Sequence, residues 1–219
     1  MYVFICGQTC TGKDTIAREL KEASRKRQGL QQMEFVVRDT TRPMREGEQN
    51  GVEYNFITNE EFAEKQQKKA YNGVSSYQTT YGTWWYGIPK CEDPIKQYIL
   101  IATPNEIYNI VKKYKGPFLT LWVYCNTNIH AERIINRLEG SDVEAYKESI
   151  RRILSDGVDY DFFTARILHE KTEVIPRIHK SLRINTSMGS DSYYNEYGSI
   201  TIDEICNIIE RINTDNISK

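Results

Sequence analysis

The stretch YVFICGQTCTGKDTIAREL, residues 2 to 20, constrains the fold more than any other part of the chain. An apolar strand, Tyr2 to Cys6, runs into Gly7, four residues, then Gly12-Lys13. A helix follows at once, with Ile16, Leu20 and Ala23 on one face and Gly29 as its stop. Such a turn aims successive backbone N–H groups and the positive helix end at a single anion, and Lys13 adds charge for the outer phosphates. Gly7, Thr9, Thr11, Gly12, Lys13, Asp14 and Thr15 therefore read as a phosphate-binding loop.

Asp14 stands where a magnesium-ligating hydroxyl is usual, and Thr15 comes one place late. Two arrangements are open. Asp14 reaches Mg²⁺ directly or through water, or it turns outward where its charge suits the helix dipole and Thr15 meets the phosphate. Both residues are metal candidates. The Gly-Lys-x-Thr order resembles that of adenylate kinases and some phage deoxynucleotide kinases, so the loop is expected to bind ATP.

A strand-loop-helix unit of this kind needs parallel partners, and the rest of the chain alternates accordingly. Core strands are expected over Tyr2 to Cys6, Met33 to Val37, Gln97 to Ala102, Phe118 to Cys125 and Ser181 to Asn185. Helices are expected over 13–27, 59–69, 105–113, 129–138, 145–155, 161–172 and 203–213. Residues 38–96 break the alternation, being rich in Tyr, Trp, Thr, Gln and Gly, and read as antiparallel strands around turns. The polar stretch 185–200 reads as a loop. With 219 residues the chain has room for one domain with small mobile subdomains.

Net charge excludes little but is informative. With 29 basic and 30 acidic residues it is −1, which gives no global attraction to nucleic acid or to an anionic membrane, so any anion site is local. The apolar runs 99–102 and 118–124 are too short to span a bilayer, and the amino terminus lacks a basic-apolar-small pattern. A cytoplasmic protein is expected. Five scattered cysteines without C-x-x-C spacing and three separated histidines indicate reduced thiols and no zinc site.

The second motif is RDTTRPMREGEQNGVEYNFIT, residues 38 to 58, with Arg38, Arg42 and Arg45 inside eight residues and Tyr54 beyond a Gly-Glu-x-x-Gly turn. Guanidinium forks suit phosphate oxygens, while a charged solvated loop is the plainer alternative. Together with the first loop, this segment resembles the guanylate kinase family. The match runs through Thr40, Thr41, Arg42, Arg45, Gly47, Glu48, Gly51, Tyr54 and Phe56, followed by EEF at 60–62.

The resemblance implies a P-loop three-layer α/β sandwich with a parallel sheet, a small β-rich insertion (38–96) binding a nucleoside monophosphate, and a helical lid (137–155). The core would comprise 1–37, 97–136 and 156–219. It implies phosphoryl transfer from Mg²⁺-ATP to GMP, dGMP or a related monophosphate, in a monomer or homodimer with no nucleic-acid or membrane partner. Arg42, Arg45 and Tyr54 would hold the acceptor phosphate, together with Tyr86 of Tyr86-Gly87-Ile88 in preference to Tyr81 of Tyr81-Gly82-Thr83. Lys13 and the lid arginines would be catalytic: Arg137 matches the Arg of Arg-Leu-x-Gly, Ser141 replaces a second arginine, and Arg151 or Arg152 would supply the later one.

The chain departs from the family where the base is read. Family members use a Glu before the Tyr-Gly element and an Asp in a later strand; here the first position falls among Val74, Ser75, Ser76 and Tyr77, and ILIATPNE puts Ile101 and Thr103 at the second. Arg38 replaces a family serine. Ser76, Gln78, Thr79 and Thr103 could accept hydrogen bonds from a base, and Tyr77, Trp84 and Trp85 could either stack on it or pack the hairpin. Guanylate kinase-like domains also serve as non-catalytic modules that bind phosphorylated or acidic peptides, but those characteristically lose the phosphate loop.

Overall fold

The computed structural model describes residues 1–79, 82–91, 93, 95–140, 143, 146, 147, 149–151, 153, 181–187, 193–195 and 198–217. The chain forms two compact units, Met1–Glu34 with Pro94–Lys219, and Phe35–Asp93. The second differs by three residues at each end from the insertion expected over 38–96.

The first unit is built on a seven-stranded sheet. Its strands are β1 (Tyr2–Cys6), β2 (Met33–Phe35), β7 (Gln97–Ile101), β8 (Phe118–Tyr124), β9 (Ser181–Asn185), β10 (Tyr193–Asn195) and β11 (Gly198–Ile200). Their order is β11-β10-β9-β8-β1-β7-β2. Strand β1 is central and parallel to both neighbours, Val3 facing Ile99 on one side and Leu119 on the other. A parallel strand covered on both faces must be apolar throughout, and all five residues of β1 are buried.

Helix α1 (Lys13–Lys26) links β1 to β2, α3 (Pro104–Val111) links β7 to β8, and α4 (Thr127–Leu138) follows β8. The β1-to-β2 and β7-to-β8 links run in opposite directions across the sheet. Strands β7 and β8 both run parallel to β1, so α3 makes the right-handed crossover expected between parallel strands. Helix α5 (Ile202–Ile217) joins α1, where Arg27 bridges to Glu210 at 2.8 Å. Its Ile205, Cys206, Ile209 and Ile212 are buried at helical spacing, as are Ile16, Ala17 and Leu20 of α1. Cys206 is a core thiol, pushed up to about 11 chiefly by burial, and the five cysteines are unbridged.

The stretch expected as a loop over 185–200 instead ends in the antiparallel pair β10 and β11. Tyr193 faces Ile200 across it and both are buried, while the Tyr193 hydroxyl donates to Glu19 at 2.6 Å. Polar neighbours mask this signal, because only one face of the pair is apolar. Of the expected helix over 145–155, the described residues 146, 147, 149–151 and 153 are helical; the helix expected over 161–172 lies outside the described residues.

The second unit holds β3 (Arg38–Thr40), β4 (Tyr54–Phe56), α2 (Asn59–Gln67), β5 (Tyr71–Thr79) and β6 (Gly82–Pro89), with sheet order β4-β3-β6-β5. The expected all-antiparallel insertion is corrected here, since β3 and β4 pair in parallel. Residues 41–53 between them form a long return that carries the chain back to the same end, which a tight hairpin turn cannot do.

Alternation gives this sheet two different faces. Register partners share a face, so Arg38, Thr40, Tyr54, Phe56 and Tyr86 stand on one side with Ser75, Tyr77 and Trp84. On the other, Asp39 is 2% exposed and takes Lys65 Nζ at 2.7 Å, the Tyr71 hydroxyl at 2.7 Å and Asn55 Nδ2 at 2.9 Å. Helix α2 opens with a capping box from Thr58 and Glu61, and its Phe62 is buried against Tyr71 and Trp85, with ring centres 5.0 and 6.1 Å away.

Candidate active site

The loop after β1 lies at the carboxyl end of a central parallel strand, where open α/β sheets bind ligands. Gly7 is required by close approach: a Cβ there would lie 2.1 Å from the Val123 carbonyl oxygen. Gly12 is left-handed, with φ of 92°, and caps α1 without a side chain in the way. Three donors converge on the Gln8 carbonyl: Thr11 N at 3.4 Å, Thr11 Oγ1 at 2.8 Å and Lys13 Nζ at 2.6 Å. Lys13 thus lies over the loop. Thr11 is 2% exposed and its hydroxyl serves the loop's own shape, and the Thr9 carbonyl meets His130 Nε2 at 2.6 Å.

Beside the loop an open pocket of about 490 Å³ is lined by Cys10, Gly12, Asp14, Thr15, Arg18, Arg133, Arg137, Thr186 and Tyr193. The structure therefore brings Arg137, Asp14 and Thr15 to one place. Arg137 approaches Cys10 Sγ at 3.7 Å. Asp14 is exposed in the first turn of α1, where a negative charge suits the helix dipole.

Sequence reading missed four residues here. Arg133 lies one turn before Arg137 on α4, so helical spacing alone could have found it. It donates to Thr186 Oγ1 at 2.9 Å and to the Thr186 carbonyl at 2.7 Å, and Thr186 Oγ1 in turn donates to the Thr11 carbonyl at 2.7 Å. Arg18 sits one turn after Asp14 on α1. Thr186, just past the end of β9, and Tyr193 of β10 arrive from far along the chain, with no local signal. Burial raises the nearby Cys125 thiol, against the opposing charge of Arg133.

In the second unit the residues of the arginine-rich segment come together. Arg42 is 4% exposed and grips Glu48 with both fork nitrogens, Nη1 to Oε2 at 2.9 Å and Nη2 to Oε1 at 2.7 Å. Arg45 N donates to Glu48 Oε2 at 2.7 Å while its own side chain is exposed. The Arg42 guanidinium lies 5.3 Å from the ring centres of Tyr54 and Phe56, and the Tyr54 ring meets that of Tyr86 at 5.7 Å. Burial works against the Arg42 charge, but Glu48 more than offsets it, so the group stays cationic. The Arg42 hydrogen bond in turn holds Glu48 below its ordinary range, against a smaller opposing effect of burial.

The Tyr86 ring stands beside that of Tyr54; Tyr81 lies outside the described residues. Arg38 faces the same side as Tyr54, its register partner. Ser76 pairs with Trp85 on the opposite face, and Ser75 is the register partner of Tyr86. Thr103 belongs to the first unit, where its side chain accepts from Glu106 N at 3.4 Å and donates to Glu106 Oε2 at 3.1 Å as the cap of α3. Arg151 is helical and half-buried but is not among the residues lining the pocket, and Arg152 lies outside the described residues.

The guanylate kinase family model matches residues 1–181. The guanylate kinase of Chlorobaculum tepidum is 40% identical over 160 residues, spanning 69% of this chain and 77% of that one. That of Clostridium tetani is 36% identical over 162 residues, spanning 68% and 72%, and that of Thermotoga maritima is 26% identical over 194 residues, spanning 85% and 89%. With the phosphate loop at the end of β1 and the arginine-tyrosine segment on the small sheet, these matches establish that the chain belongs to the guanylate kinase family.

Proposed function

We propose that this chain is an ATP-dependent nucleoside monophosphate kinase that moves the γ-phosphoryl of ATP to a purine nucleoside monophosphate of the GMP and dGMP class. The observation that carries the reading is the intact phosphate loop, with Lys13 Nζ folded over it 2.6 Å from the Gln8 carbonyl and Arg137 beside it in one pocket. A non-catalytic relative has no need of that arrangement.

Lys13 would exchange the Gln8 carbonyl for donor phosphate oxygens, and Arg137 would meet negative charge developing on the transferred group. Arg42, Arg45, Tyr54 and Tyr86 would hold the acceptor phosphate, Arg42 doing so with its orientation already set by Glu48. No general base is required, because the attacking oxygen already belongs to a phosphate. Magnesium fits the residues present, since Asp14 and Thr15 offer two hard oxygens beside the loop. Mg²⁺ usually takes one or two protein oxygens and completes its shell with phosphate and water, and it would neutralise charge on the donor phosphates.

The test is ADP formation from Mg-ATP across ribo- and deoxyribonucleoside monophosphates. Turnover that falls about 100-fold or more in Lys13→Ala is expected, the scale of losing one charge stabiliser at the reacting group. Binding of both nucleotides with no transfer to any acceptor would instead indicate a binding module.

A further inference from the structure

We infer that Cys10 and Cys125 are a thiol pair that an anionic disulfide oxidises to a bond closing the phosphate loop to nucleotide; the effect on nucleotide rests on the reading of that loop as the ATP site. Strands β1 and β8 run side by side as far as Cys6 and its register partner Trp122, and each cysteine lies a few residues beyond. The two segments stay together past the strands. A Cβ on Gly7 would meet the Val123 carbonyl, and the Thr9 carbonyl meets His130 Nε2 at 2.6 Å. One oxygen links the flanks of the two cysteines. Thr186 Oγ1 lies 2.7 Å from the carbonyl of Thr11, the residue after Cys10, and 3.3 Å from that of Tyr124, the residue before Cys125. The thiols therefore share one neighbourhood, with Arg133 and Arg137 one helical turn apart on α4 beside them. Arg137 Nη1 reaches Cys10 Sγ at 3.7 Å, and Arg133 acts on Cys125 by charge and hydrogen bonding.

The other thiols are placed differently. Cys6 and Cys206 are fully buried, and Cys91 belongs to the other unit. Cys10 is half-buried and lines the open pocket, where Arg18, Arg133 and Arg137 outnumber Asp14. An anionic disulfide such as oxidised glutathione is drawn to a pocket of that sign. Cys10 also stands at φ of 63°, in the left-handed region, which is costly for a residue with a side chain. Glycine takes that conformation without cost, so the loop's shape alone does not call for a thiol there.

The chemistry is two exchanges. Cys10, as its thiolate, attacks one sulfur of oxidised glutathione, and one glutathione thiolate leaves. Cys125 then gives its proton to water and attacks the Cys10 sulfur, and the second glutathione leaves. Two protein thiols lose two electrons and two protons in all, and one glutathione disulfide becomes two thiols. Cys125 suits the second step. Burial pushes its thiol up, against the charge and hydrogen bond of Arg133, and a charge on Cys10 pushes the same way until glutathione caps that sulfur. Bonded sulfurs lie about 2 Å apart, whereas both thiols are unbridged here, so bonding draws the loop toward the end of β8. Its backbone N–H groups then no longer converge on a phosphate.

The test oxidises the full chain in a glutathione buffer and reads it two ways. Peptide mapping without reductant should find the Cys10 and Cys125 peptides joined and lighter by two hydrogens. In Cys125→Ser the reaction should stop with glutathione on Cys10. ATP titration should show affinity reduced about 5- to 150-fold in the oxidised chain and restored by dithiothreitol, with far-UV circular dichroism unchanged throughout. Coupling is reciprocal, so saturating ATP should lower the equilibrium constant for oxidation by the same factor. Glutathione on Cys91 with Cys10 still a thiol, or glutathione on Cys10 that Cys125 never displaces, overturns the inference. A joined pair with unchanged ATP affinity, or one formed only with loss of the fold, overturns it as well. A joined pair in a chain whose reduced form binds no ATP sustains the thiol pair and overturns the nucleotide reading instead.

Discussion

Arg42, a proposed acceptor-phosphate contact, is a buried cation held by one carboxylate. Its guanidinium is 4% exposed and would be untenable without Glu48, whose two oxygens lie 2.9 and 2.7 Å away. Removing the partner leaves an uncompensated buried charge, so Glu48→Gln is expected to destabilise the fold by on the order of 3 kcal/mol, read from urea unfolding. The pH dependence has a definite sign. Glu48 is held below its ordinary value of 4.5 chiefly by the Arg42 hydrogen bond, so its contribution is complete above that value and is lost as pH falls through the lower folded one. Between about pH 6 and pH 3 the urea midpoint of the wild-type chain should fall more steeply than that of Glu48→Gln. Equal slopes would show that the pair contributes nothing. At this scale the placement of Lys13 over its loop and the meeting of Arg42 with Tyr54 were legible in residue type and spacing. It was less so for Thr11, chosen as a phosphate contact but buried as a brace on Gln8, and not at all for Thr186, whose role arises only because β9 ends beside the loop.

Elements explain two residues whose neighbours lie far off in sequence. Gly87 follows Tyr86 on β6, and a Cβ there would lie 2.5 Å from Tyr71 Cε1. The Tyr71 ring occupies that space because its hydroxyl is drawn to Asp39 at 2.7 Å. Gly87→Ala should therefore displace Tyr71, free one donor of the buried Asp39, and destabilise by about 1–3 kcal/mol. Thermal unfolding would register this, and an unchanged midpoint would mean that the ring moves aside freely. Thr186 is the second case, joining α4, β9 and the phosphate loop through Arg133 and the Thr11 carbonyl. Thr186→Val keeps the shape but removes the hydroxyl, so KM for ATP should rise about 10-fold while KM for the acceptor holds, the scale of one hydrogen bond lost with a partner left unpaired. A shift in both constants would point to general loosening instead. The parallel core strands were legible from their unbroken apolar runs. The β10–β11 pair was not, because one apolar face among Ser, Asn, Asp and Gly looks like a loop.

The division of the whole molecule into two units carries the final prediction. The proposed donor groups, Lys13, Arg137 and the loop, belong to Met1–Glu34 with Pro94–Lys219, and the acceptor groups, Arg42, Arg45, Tyr54 and Tyr86, to Phe35–Asp93. That separation was legible in composition, since residues 38–96 abandon the strand-helix alternation, although α2, capped by Thr58 and Glu61, had to be recognised inside a β-rich stretch. Transfer demands both sets of groups on one line of phosphates. A compound joining adenosine and guanosine through five phosphates would present both ligands at once, its second contact being intramolecular once the first is made. It should raise the melting temperature more than saturating ATP and GMP added together, because stabilisation by mass action grows with the logarithm of ligand concentration over Kd. Arg42→Ala and Lys13→Ala should each reduce the gain to that of a single-site ligand. If both variants keep the full gain, the compound is bound elsewhere and the assignment of donor and acceptor groups to the two units fails.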